Sequence, residues 1–214
     1  MQNSNNLSNL LEQKLKSANY VVTAEQHEKL LNYIELLHKW NQTYNLTSVR
    51  DPQDMITQHI LDSLSITPYL HGKRLLDVGT GAGLPGIPLA ITQPGRHFTL
   101  LDSNGKKTRF LIHAQQQLGL NNIEVVQTRV EQYQPEYCFD SIMSRAFSMI
   151  KDFLEKTEHL CRKDGHFLAM KGQYPAEELN KLGKQFTVKE AHSIKVLHLD
   201  AQRHLIEIVK SEIK

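Results

Sequence analysis

The segment Leu75-Leu-Asp-Val-Gly-Thr-Gly-Ala-Gly-Leu-Pro-Gly86 constrains the fold more than any other part of the chain. Leu75 to Val78 read as the end of a buried strand, alternating glycines follow at 79, 81 and 83, and a short apolar helical pattern begins after them. Glycine tolerates positive φ and lets the backbone approach a ligand that any Cβ would exclude. A bare strand-to-helix turn would not require glycine at three alternating positions. Such a turn belongs at the carboxyl edge of an open parallel sheet, where ligands bind at the point of strand-order reversal.

The remaining pattern agrees with an α/β sheet. Before about residue 73 the periodicity is helical, with Leu7, Leu10, Leu11 and Leu15 on one face and Leu30, Ile34, Leu37 and Trp40 on another. Thr23 and Gln26 have the spacing of a capping box, and a third helix is predicted over about Gln53 to Ile66, between Pro52 and Pro68. Strands are then predicted at Arg74–Gly79, His97–Ser103, Ile123–Arg129, Phe139–Arg145 and His166–Gly172. Helices alternate with them at Pro85–Thr92, Lys106–Gly119, Met149–Cys161 and Pro175–Gly183. Ser193–Leu197 and His204–Lys210 are too close together for a parallel crossover and read as an antiparallel hairpin. Five parallel strands closed by an antiparallel C-terminal hairpin, a seven-stranded Rossmann-like sheet, is the arrangement of class I methyltransferases. The expected organisation is an N-terminal helical extension over 1–70 and a cofactor-binding domain over 71–214.

Composition excludes several other classes. The 214 residues are 40% hydrophobic and 22% charged, as in ordinary globular domains. No apolar run approaches the roughly 20 residues that a membrane helix needs. The polar start Met1-Gln-Asn-Ser-Asn-Asn has no secretory pattern. Cys138 and Cys161 form neither a disulfide framework nor a metal-ligand spacing, and no metal is expected. A net charge of +2 means that any nucleic-acid contact must come from local patches. A cytoplasmic monomer, away from membranes, is the expectation.

Two acids accompany the turn. Asp77 lies in the strand end before it, and Asp102 ends the next strand, well placed to accept hydrogen bonds from both hydroxyls of a ribose. Gly81-Ala-Gly-Leu-Pro-Gly86 also fits the dinucleotide fingerprint G-x-G-x-x-G. Three features oppose a dehydrogenase: the acid inside the strand, glycines set early relative to the helix, and too little chain after the fifth strand for a substrate domain.

Several segments together resemble one family, the bacterial 16S ribosomal RNA guanine-N7 methyltransferases of small-subunit type G, also called glucose-inhibited division protein B. They are Trp40-Asn-Gln-Thr-Tyr-Asn-Leu-Thr47, His59-Ile-Leu-Asp-Ser-Leu64, Leu76 to Pro88, Leu101-Asp-Ser103, Lys106-Lys-Thr-Arg-Phe-Leu111, Ser144-Arg-Ala-Phe147, Met170-Lys-Gly172 and Arg203-His-Leu205. The resemblance implies S-adenosyl-L-methionine as cofactor, S-adenosylhomocysteine as product, and 16S rRNA or the small subunit as partner, with the target in the decoding-site 530 loop. It also implies cofactor contacts from Gly79, Leu84, Val130, Glu131 and Arg145; the turn and ribose arguments add Gly81 and Asp102.

Methyl transfer from a sulfonium is an in-line displacement, so the protein chiefly aligns an acceptor lone pair with the methyl carbon. Cytosine C5 would require a cysteine nucleophile. Cys138 starts a strand at the wrong end and Cys161 closes a predicted helix, so neither suits that role. The Asn/Asp-Pro-Pro-aromatic loop of adenine amine chemistry is replaced by Ser144-Arg-Ala-Phe147. Guanine N7 carries a lone pair and no proton, which is consistent with the lack of an evident acid or base. Arg145 and Phe147 are the positioning candidates. Arg145 would bind the methionine carboxylate or an RNA phosphate, or else pair with Asp77; Phe147 would stack on the target base, or else pack in the core. Lys106, Lys107, Arg109, Arg50, Lys73, Arg74 and Lys171 are candidates for a phosphate-binding surface. His59 and Asp62, one turn apart, would cover the pocket or touch substrate. Other acceptors, RNA or small molecule, and a non-catalytic ribosome-assembly module remain open on the residues alone.

Overall fold

The computed structural model describes residues 2–145, 147 and 149–211. Helices α1 (Gln2–Ser17) and α2 (Ala24–Tyr44) come first. The Thr23/Gln26 capping box forms in both directions at the start of α2, and Asn45 closes that helix with φ 49°. Asp51 then caps α3 (Pro52–Met55), with Pro52 in the first turn, where its missing N–H is not needed. The chain continues as a π-helical segment, Ile56–Leu61, into α4 (Asp62–Leu64). A continuous α-helix was expected there. Met55 to Leu64 are buried on nearly every side, so the segment has no one-sided apolar stripe in which the register shift of a π turn would show.

Strands β1 (Arg74–Val78), β2 (His97–Asp102), β3 (Ile123–Gln127), β4 (Phe139–Ser144), β5 (Cys161–Lys171), β6 (Phe186–Ile194) and β7 (Arg203–Lys210) form one sheet, in the order β3-β2-β1-β4-β5-β7-β6. β1 to β5 pair in parallel, while β7 pairs antiparallel with both β5 and β6. Strand order therefore reverses between β1 and β4. The Ser144 hydroxyl donates to the Val78 carbonyl at 2.7 Å and ties the two strand ends together there. Helices α5 (Gly86–Thr92), α6 (Gly105–Leu118), α7 (Ile150–Thr157) and α8 (Ala176–Leu179) complete the elements.

Three boundaries differ from expectation. β5 begins at Cys161, so this cysteine opens a strand rather than closing a helix. The helix predicted to Gly183 ends at Leu179. The first hairpin strand is Phe186–Ile194, upstream of the predicted Ser193–Leu197. β6 is a sheet edge, carries Lys189 and Glu190, and shows little apolar signal. Val196, which suggested a strand, is instead a loop residue buried against the core.

The helices of the first seventy residues share a core with one sheet face, where Leu11, Ile34, Leu37, Ile60 and Leu64 meet Leu75, Ile87, Leu168 and Leu205. On the other face Phe139, Phe167 and Ile206 of the sheet pack with Phe153 of α7. Toward the amino ends of the strands, buried Glu207 gathers His71, His166, His192 and Lys189 around its carboxylate. Lys189 and His192, together with the nearby charges, hold that carboxyl below its usual range despite burial. Among the described residues no helix is long and apolar enough to cross a membrane.

Candidate active site

The glycine turn sits at the switch point. The amides of Gly79 and Thr80 donate to the Leu101 carbonyl of β2, at 2.8 and 3.2 Å, which continues the sheet register into the turn. Gly79, Gly81 and Gly83 all have positive φ, at 67°, 63° and 88°. A Cβ on Gly81 would meet only the Gly79 carbonyl and Lys107 Nζ, both at 3.9 Å in ordinary contact, so no clash requires glycine there and its positive φ does. Gly86 serves packing instead: a Cβ there would collide with Leu100 and lie 2.8 Å from Asp77 Oδ2. Helix α5 begins only at Gly86, after the alternating glycines.

The two acids hold the turn from below and from the side. Asp77 is fully buried; its Oδ2 accepts from the Thr80 hydroxyl (2.7 Å) and the Gly86 amide (2.9 Å). Burial pushes its carboxyl up to about 6, against the lowering effect of those bonds and of Arg145. Asp102 Oδ2 accepts from the Gly81 amide and Oδ1 from the Asn104 amide, both at 2.9 Å. Carboxylate oxygens carry two lone pairs each, so Asp102 keeps acceptor capacity toward the adjoining cavity. Tyr33 supplies a contact that the sequence did not suggest. From α2, its buried hydroxyl donates to the Ala82 carbonyl at 2.8 Å.

Three cavities follow one another along this edge. The first, about 210 Å³, is lined by Gly79, Asp102, Val130, Glu131, Phe147 and Lys156 among others. The second, about 200 Å³, lies over Gly79, Gly81 and Leu84 and reaches Thr47 and Arg145. A third, about 340 Å³, shares Thr47 and Arg145 with the second and adds His59, Asp62, Met170 and Arg203. Gly79, Gly81, Leu84, Asp102, Val130, Glu131, Arg145 and Phe147 therefore all line a row of adjoining cavities, the first and second sharing Gly79 and the second and third sharing Thr47 and Arg145. Glu131 points to Lys156 (3.1 Å) at its outer rim. Phe147 lines the first cavity and rests on Phe153, ring centres 5.5 Å apart. Ala146, within the Ser144–Phe147 segment, lies outside the described residues.

The third cavity lies between the N-terminal segment, which supplies Thr47, His59 and Asp62, and the sheet edge, which supplies Arg145, Met170 and Arg203. Asn41 orders the loop after α2: its Nδ2 donates to the Val49 carbonyl and its Oδ1 accepts from the Thr47 amide. Thr47 in turn meets His59 Nε2 at 2.9 Å. Burial, with Arg145 nearby, lowers the His59 imidazole to about 4, so it is neutral at physiological pH. Arg145 pairs with Asp62 at 3.0 Å, not with Asp77. Arg203, whose sequence context suggests no such contact, reaches the other oxygen of Asp62 at 2.8 Å.

The basic residues do not form one surface. Lys107 approaches Asp102 at 3.6 Å beside the turn. Lys73 and Arg74 lie at the opposite, amino end of β1, where Arg74 covers the Tyr137 ring. Lys171 pairs with Glu178 at 2.9 Å, and Arg50 is engaged by Asn41 and Asn45.

A seven-stranded sheet of this order, with a glycine turn at its switch point and acids beneath and beside it, defines a class I methyltransferase, a fold class whose methyl donor is S-adenosylmethionine. Solved structures agree on the fold: an S-adenosylmethionine-dependent methyltransferase from Aquifex aeolicus matches with a TM-score of 0.58 at 18% identity, covering 77% of this chain and 97% of that one. The family model for rRNA small subunit methyltransferase G matches residues 26–206, and the chain belongs to that family. It is 52% identical over 200 residues to ribosomal RNA small subunit methyltransferase G of Nitrosococcus oceani, covering 94% of each chain. The protein of the same name from Psychromonas ingrahamii is 50% identical over 203 residues, covering 95% of this chain and 96% of its own.

Proposed function

We propose that this protein transfers the methyl group of S-adenosylmethionine to N7 of a guanine in 16S rRNA, in the 530 loop of the small subunit, and acts as a cytoplasmic monomer. In this reading residues 1–70 form an extension that shapes the acceptor side, and residues 71–214 form the cofactor-binding domain. Asp102 takes the ribose hydroxyls, Val130 and Glu131 border the adenine, and the backbone of Gly79, Gly81 and Leu84 cradles the methionine portion. Arg145 stands where the cofactor and acceptor cavities join.

The bound cofactor supplies an activated methyl group. The protein's part is to hold the acceptor in line with it, in a site that needs no proton transfer. One observation carries the choice of acceptor. The titratable groups placed in or under the acceptor cavity are unsuited to act as a base: His59 gains a proton only near pH 4, Asp62 is engaged by two arginines, Lys171 is paired with Glu178, and Asp77 is sealed beneath the turn. An exocyclic amine sheds a proton on methylation, whereas guanine N7 presents a bare lone pair. Phe147 lines the cofactor side of these cavities, where its ring covers the adenosyl end more directly than the target base.

The test is to incubate purified protein and S-adenosylmethionine with small subunits from cells that lack the gene, then map N7-methylguanine by chemical strand scission. One new cleavage in the 530 loop is expected. No new cleavage, with methyl incorporated elsewhere, would replace the proposed acceptor.

A further inference from the structure

The acceptor cavity contains an unusual charge arrangement. Asp62 is 1% exposed, yet two guanidiniums meet it, one on each oxygen: Arg145 Nη1 on Oδ2 and Arg203 Nε on Oδ1. They arrive from different strands, Arg145 just past β4 and Arg203 as the first residue of β7, with β5 between them in the sheet. Each is braced by a second bond, Arg145 to the Gln58 carbonyl (3.3 Å) and Arg203 to the Gln202 carbonyl (2.9 Å). Neither Nη2 has a bonded partner among the described residues. Both side chains remain accessible, at 30% and 26%.

The remaining charges in the cavity cancel or are absent. Lys171 is matched by Glu178 and His59 is neutral. Two guanidiniums against one carboxylate leave a single positive charge, presented as forked N–H donors at fixed positions. That is the complement of one phosphodiester, which carries one negative charge and two oxygens that accept forked hydrogen bonds. The cofactor's own carboxylate is a poorer match for Arg203, which lines the acceptor cavity and not the cavity over the glycine turn.

We propose that Arg203, with Arg145 beside it, forms a subsite for one RNA phosphodiester next to the target nucleotide, and that Asp62 is the positioning residue that sets the two guanidiniums. This rests on the rRNA methyltransferase reading above. Asp62 acts through the arginines: from the end of the π-helical segment it fixes their spacing, so that the phosphate is bound in register with the methyl donor.

The experiment measures methylation kinetics on gene-deficient small subunits across a salt series, with S-adenosylhomocysteine affinity measured on the same preparations. For Arg203→Gln, KM for the subunit is expected to rise about tenfold or more, and the slope of log affinity against log salt to fall by about one. S-adenosylhomocysteine binding should stay within about twofold. Arg203→Lys should keep the slope while recovering only part of KM, because the charge remains and the fork is lost. Asp62→Asn should lower kcat without reducing the slope. An unchanged slope and KM in Arg203→Gln, with cofactor product still bound, would remove the subsite and leave the methyltransferase reading standing. An equal loss of S-adenosylhomocysteine binding would also overturn it, by assigning Arg203 to the cofactor. Failure of the unsubstituted protein to methylate would instead count against the reading beneath it.

Discussion

His59 and Asp77 are buried within reach of the same guanidinium, and burial moves them in opposite directions. His59 titrates near 4 when folded and 6.5 when free, so the unfolded chain binds the extra proton. The stability this provides is present above pH 6.5 and is lost as pH falls toward 4. Asp77 titrates at about 6 when folded and 3.8 when free. Its contribution is present below 3.8 and is lost as pH rises through 6. The two largely offset between pH 7 and 5, so the wild type conceals both. His59→Gln removes one side of the balance. The stability difference between variant and wild type is expected to shift by about 2 kcal/mol in the variant's favour on going from pH 7 to 5. Denaturant titrations at the two pH values check this, and an identical difference at both would show that the imidazole is not held neutral by its surroundings.

At the scale of elements, the sequence was most informative where local pattern and tertiary role coincide. β1, the glycine turn and the strand–helix alternation were all readable, because a buried strand and a positive-φ turn leave direct marks on residue choice. The capping box at Thr23 and Gln26 was readable for the same reason. Features created by long-range assembly were not. The π-helical turn lies in a segment buried on nearly every side, where no apolar stripe marks a register, edge strand β6 has little apolar character, and the pairing of Asp62 with Arg203 joins residues 141 positions apart. Tyr33 was hidden within the apolar stripe of α2, with nothing to mark its hydroxyl as a bond to the turn. Gly86 is a further case in which packing decides: α5 approaches β1 and β2 too closely to admit a side chain. Gly86→Ala should therefore destabilise the fold by about 1–3 kcal/mol, despite alanine's better helix propensity. Urea unfolding measures this; a neutral or stabilising result would mean that Leu100 and Asp77 yield more readily than the interdigitated sheet suggests.

For the whole molecule, the row of cavities joins elements from nearly the full length of the chain, so occupancy should register globally. S-adenosylhomocysteine at about one hundred times its Kd should add roughly 2.7 kcal/mol, and for a chain of this size that corresponds to about 5–10 °C in Tm. NAD at the same concentration should leave Tm unchanged, and a scanning experiment with both ligands separates the methyltransferase from a dehydrogenase that shares the glycine pattern. The bond from Tyr33 to the Ala82 carbonyl carries a wider consequence. It makes the N-terminal helices part of the mechanical frame of the turn, so order is exchanged between the two in both directions. Whatever free energy the donor contributes toward steadying the extension, the extension returns equally to the donor. Binding over the glycine turn and the order of the N-terminal segment that lines the third cavity are in this sense thermodynamic neighbours, joined by one buried hydroxyl.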